Sequence, residues 1–122
     1  MENIDWKKLG FGYLDADYNV RCYYRNGEWG ELEVTSSNQI NIHMAATSLH
    51  YGQEAFEGLK AFKGKDGKIR VFRMDENAKR MQDSANGILM EKLPVDKFTD
   101  AVRKAVKMND RFVPPSDSGA AL

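Results

Sequence analysis

Cys22 is the only cysteine in 122 residues, so no internal disulfide can form and a reducing, cytoplasmic setting is expected. Apolar runs stop at three residues, as in Ile88-Leu89-Met90, whereas a membrane-spanning helix needs about 20. The opening Met1-Glu2-Asn3-Ile4-Asp5-Trp6 lacks the apolar core of a signal peptide. Eighteen basic and eighteen acidic side chains cancel, so no net field draws the chain to nucleic acid or to an anionic membrane. Histidine is scarce too. His43 and His50, with one distant cysteine, do not reproduce zinc-ligand spacing, and no metal site is expected. Both are read as hydrogen-bonded structural residues, and Cys22 as a small buried side chain.

What is present describes an ordinary globular chain, 42% hydrophobic and 30% charged, with neither repeat nor linker. One domain over residues 1–122 is therefore expected. Residues 18–25 combine strand-forming types, with Val20, Cys22 and Tyr24 on one face if the segment is extended. Asn26-Gly27 is a favoured type I′ hairpin turn. Glu31 to Val34 reads as a return strand, and the alternating Ile40-Asn41-Ile42-His43-Met44 as another. Leu59–Phe62 and Lys68–Phe72 flank a second hairpin, with Asp66-Gly67 available for positive φ.

The period then changes from two to about 3.6. Ala78, Met81 and Ala85 place a helix over about Met74 to Asn86, with Asp75 and Lys79 paired at i,i+4 and Gly87 at its stop. Phe98, Val102, Ala105 and Val106 make the stripe of a second helix from about Val95 to Asn109, and Pro114-Pro115 prevents its continuation. Asp96 and Lys107 suit its macrodipole. Gly58 to Lys65 is not a phosphate loop, because the glycine spacing is wrong and Asp66 replaces the magnesium-binding hydroxyl. The cluster Lys60, Lys63, Lys65, Lys68, Arg70 and Arg73 reads as a solvated hairpin rather than a nucleic-acid surface.

Residues 49–62, Leu49-His50-Tyr51-Gly52-Gln53-Glu54-Ala55-Phe56-Glu57-Gly58-Leu59-Lys60-Ala61-Phe62, interleave aromatic rings with glycines. Aromatics make rigid walls and glycines allow close backbone approach, so the stretch is a candidate pocket. As a string it resembles the small-domain signature of the branched-chain amino acid aminotransferases, the pyridoxal phosphate (PLP) enzymes of fold type IV. The resemblance runs from about Phe11 to Pro115. It includes Phe11-Gly12, His50-Tyr51-Gly52, Phe56-Glu57-Gly58-Leu59-Lys60-Ala61-Phe62 and Asn77-Ala78-Lys79-Arg80-Met81.

The resemblance implies an α+β fold, a largely antiparallel sheet with packed helices forming the small domain of such an aminotransferase. It implies that Phe11, Tyr51 and Phe56 are substrate-binding aromatics and that Arg80 contacts the PLP phosphate. A branched aliphatic side chain needs an apolar wall, and a phosphate needs fixed donors such as a guanidinium fork. The cofactor-bearing lysine is expected downstream of Leu122 in a large domain, so no catalytic residue is assigned here and this piece alone is expected to be inactive. The intact parent is expected to be a homodimer moving an amino group between leucine, isoleucine or valine and the 2-oxo acid 2-oxoglutarate. D-amino acid aminotransferases and aminodeoxychorismate lyases share the fold but usually carry Gly-Asp-Gly where His50-Tyr51-Gly52 stands. A non-enzymatic binding module derived from this fold is the reading from another class.

Overall fold

The computed structural model describes residues 4–8, 10 and 12–122; Phe11, assigned above to the substrate pocket, lies outside them. Six strands and three helices follow in order: β1 Asn19–Arg21, β2 Tyr24–Arg25, β3 Glu28–Trp29, β4 Glu33–Thr35, α1 Thr47–Tyr51, β5 Ala61–Lys63, β6 Ile69–Val71, α2 Met74–Gly87 and α3 Val95–Met108. Short 3-10 turns cover Trp6–Lys8 and Asp110–Phe112. The composition is α+β. In place of one largely antiparallel sheet, the described residues form three two-stranded antiparallel ladders.

The first two ladders are nested. β2 and β3 close around Asn26-Gly27, whose φ angles of 54° and 82° are those of the expected type I′ turn. Farther out, Arg21 faces Glu33 and Tyr24 faces Trp29, so Cys22 and Tyr23 oppose Gly30, Glu31 and Leu32. That extra residue is a bulge, which separates one hairpin into two short ladders. It also ends the single face expected for Val20, Cys22 and Tyr24: Tyr24 is exposed and its ring packs at 5.2 Å on Trp29.

The second hairpin forms as expected, with β5 paired to β6 from Ala61↔Val71 to Lys63↔Ile69. Of its turn pair only Gly67 takes positive φ. Asp66 accepts the Lys68 N–H and pairs with Arg70. The anticipated strand over Ile40–Met44 does not form. The alternation is there but no neighbouring edge is. Arg21 Nη2 donates to the Ser37 and Gln39 carbonyls and holds the preceding turn, leaving Ile40 and Ile42 on the wall of an open cleft of about 850 Å³.

Both long helices match their periodicity. Ala78 and Ala85 are the buried positions of α2, and Lys79 lies 4.0 Å from Asp75 and 3.2 Å from Glu76. Gly87 is the last helical residue, and the left-handed step falls on Leu89, at φ 59°. α3 packs on α2 and on β1. It ends six residues before Pro114, so the prolines are not its stop. Asn109 caps it instead, its Nδ2 donating to the Ala105 carbonyl at 2.8 Å. The same amide donates to Tyr18 O at 3.0 Å and accepts Tyr18 N–H at 2.9 Å, tying the approach to β1 onto the end of α3. Phe112, Val113 and Pro114 then turn inward and are buried. At the other edge Ala61 and Leu122 exchange both backbone hydrogen bonds, at 2.7 and 3.1 Å.

Candidate anion-facing site on helix α2

The 49–62 stretch enters the molecule at the end of α1, where Gly52 adopts φ 63° and releases the chain from the helix. From Gln53 to Ala61 burial then alternates strictly: Gln53, Ala55, Glu57, Leu59 and Ala61 turn inward, while Glu54, Phe56, Gly58 and Lys60 turn out. This is the period of an extended chain. It runs without a ladder until β5 and is held by side chains instead. Gln53 Nε2 donates to Ile88 O at 2.8 Å, and Asn77 Nδ2 donates to Gly58 O at 3.1 Å.

The alternation sends Phe56 to solvent at 90% exposure and Glu57 inward, its side chain only 4% exposed. A carboxylate at such depth needs partners. Asn77 Nδ2 donates to Oε1 at 2.9 Å, and Arg80 donates Nε to Oε2 at 2.8 Å and Nη2 to Oε1. Asn77 and Arg80 stand three residues apart, on one face of α2. The Arg80 contacts, with Asn77 second, hold the Glu57 carboxyl down at about 2 from its ordinary 4.5, against the opposing effect of burial. Glu57 in turn raises the Arg80 pKa, so this is a fixed ion pair at neutral pH.

Arg80 is itself 67% exposed. Side-on pairing spends Nε and one Nη2 proton and leaves the Nη1 protons without a partner among the described residues. The guanidinium borders a groove of about 540 Å³ whose walls include Phe72, Arg73, Lys79 and Asp83. Tyr51, at 85% exposure, and Phe56 are not part of that groove. The structure thus brings Arg80 together with Glu57 and Asn77, and leaves the two candidate aromatics as exposed rings on the connecting chain. Glu57 was not singled out from sequence. Its signal was available: an acid on the inward parity of a period-two run, with Asn and Arg at helical spacing downstream.

The histidines are hydrogen-bonded as expected. His43 Nδ1 accepts the Ala45 N–H at 3.0 Å, and His50 Nε2 donates to Met44 O at 2.5 Å. Cys22 is half-buried and lies 3.3 Å from Gly30 O. No helix of the described residues is long and apolar enough to cross a membrane.

No protein-family model matches the chain. Over all 122 residues it is 43% identical to the branched-chain-amino-acid aminotransferase of Haemophilus influenzae and 42% identical to that of Helicobacter pylori, in each case over 36% of the relative. The chloroplastic branched-chain amino acid aminotransferase 2 of Humulus lupulus is 42% identical over 98% of this chain and 30% of its own length. The chain therefore corresponds, along its whole length, to a portion of the branched-chain-amino-acid aminotransferases about one third as long as they are.

Proposed function

We propose that the chain is the small-domain part of a PLP-dependent branched-chain aminotransferase of fold type IV, and that Arg80 donates to the phosphate of the cofactor. The whole protein would move an amino group between leucine, isoleucine or valine and 2-oxoglutarate, as a cytoplasmic homodimer. The observation that carries this reading is the match over the full chain to enzymes of that name, at 39–43% identity. The residues present suit the phosphate: an exposed guanidinium, locked in orientation and with unspent N–H groups, is a donor set for a phosphate dianion. The cofactor, when bound, supplies the electron sink that transamination needs. Tyr51 and Phe56 are proposed to face substrate. Their exposed rings offer rigid apolar surface for a branched side chain.

The test is transamination by the intact protein, compared across leucine, isoleucine, valine, D-alanine and aminodeoxychorismate. Turnover of the branched-chain substrates with 2-oxoglutarate as acceptor is the expected result. Preference for D-alanine or aminodeoxychorismate would transfer the protein to a sister activity. The 122-residue chain assayed alone is expected to show no turnover, because most of the groups that hold and activate the cofactor are supplied elsewhere.

A further inference from the structure

We propose that Glu57 is the positioning residue for Arg80: its nearly buried carboxylate, held from behind by Asn77, grips Nε and Nη2 and so fixes Nη1 as the donor that meets the anion. The proposal rests on the reading of Arg80 as the phosphate contact. It adds that the orientation of that contact is set within this chain.

Three observations converge on it. Glu57 is 4% exposed whereas its partner is 67% exposed, so the pair has an anchored end and a free end. The anchor is itself fixed, since Asn77 Nδ2 donates both to Glu57 Oε1 and to Gly58 O, the next carbonyl along the chain. The grip is side-on, through Nε as well as Nη2, and this fixes the guanidinium plane. A long side chain held in this way loses its rotamer freedom on folding, not on meeting the ligand. Because the carboxyl is held down at about 2, the grip is ionised at any neutral pH.

A carboxylate beside an anion-binding arginine also acts in the opposite sense, by cancelling part of its charge. The two effects predict opposite results for removal of that charge. The guanidinium is exposed, so the Glu57–phosphate repulsion is damped by water. Loss of orientation weakens every N–H···O contact the guanidinium makes. Positioning is therefore expected to dominate.

The experiment uses the intact apoprotein and equilibrium dialysis with pyridoxal 5′-phosphate and with pyridoxal, the ratio of affinities isolating the share of the phosphate. Arg80→Ala is expected to abolish most of that ratio. If it does not, Arg80 is not the phosphate contact, and the positioning role falls with it. Glu57→Gln, isosteric and uncharged, is expected to lower the ratio roughly tenfold while leaving the affinity for pyridoxal alone unchanged. An unchanged or increased ratio in Glu57→Gln, with Arg80→Ala having abolished it, overturns the role of Glu57 and leaves that of Arg80 standing. A second readout needs no ligand: the Arg80 Nε–Hε resonance of the free protein. Slow solvent exchange in the wild type and fast exchange in Glu57→Gln are expected. Fast exchange already in the wild type overturns the proposal.

Discussion

Glu57 and Asp66 are both exchanged into ion pairs with arginine, and both carboxyls are held at about 2, Glu57 chiefly by Arg80 and Asp66 chiefly by Arg70. A carboxyl whose pKa is lower folded than unfolded binds fewer protons in the native state. Its stabilisation is complete above the unfolded value, 4.5 for Glu57, and is lost as pH falls through about 2. Urea midpoints followed from pH 6 downward should therefore fall through this window, and less steeply in Glu57→Gln. Parallel curves for the two proteins would show that Glu57 does not titrate as described. Asn109 acts at the same scale without charge. Its amide, 4% exposed, serves Tyr18 N–H, Tyr18 O and Ala105 O together. Asn109→Ala leaves Tyr18 N–H and O without their partner in a part-buried setting, while Ala105 O keeps the Asn109 backbone N–H, and should cost about 1–2 kcal/mol in denaturant unfolding. A loss below about 0.5 kcal/mol would mean that water replaces the amide.

Among the elements, the turns carry the sharpest expectations. Gly27 sits at φ 82° in open space, so Gly27→Val should destabilise through backbone strain alone, by about 1–2 kcal/mol. Leu89 presents the converse case: a left-handed leucine, 90% exposed, with no burial to lose. Leu89→Gly should raise the urea midpoint by the equivalent of about 0.5 kcal/mol, strain relief exceeding the added chain entropy. Elements written in local pattern were legible. The Asn26-Gly27 hairpin, the Asp66-Gly67 hairpin and both long helices all depend on neighbours within a few residues. The reading of Ile40–Met44 as a strand failed because alternation specifies which faces a strand would present, not whether an edge is there to pair with. α2 stops at Gly87 as its sequence suggests, but the glycine does not take the left-handed step. Leu89 takes the special backbone angle while the Met90 N–H returns to Ala85 O at 2.9 Å, a closure that a glycine two residues earlier only hints at.

At the scale of the whole molecule the exposed surface is large. It reaches 9565 Å², where a compact monomer of this mass would show about 6,700 Å². Tyr51, Phe56, Phe72 and Leu89 all contribute large apolar side chains to it. The 122-residue chain should accordingly enhance the fluorescence of an apolar dye such as anilinonaphthalene sulfonate, and the intact protein should do so less per residue. Equal enhancement would mean that these side chains stay uncovered. Residue order over short spans set the composition class, the turn positions, both helical stripes and the similarity to the aminotransferases. Folding brought together the groups that meet across long spans: Glu57 with Arg80, 23 residues apart, and Tyr18 with Asn109, 91 residues apart. The physical reason is depth. The Glu57 carboxylate and the Asn109 amide are nearly buried, and such groups take their partners from whatever the folded chain brings within reach.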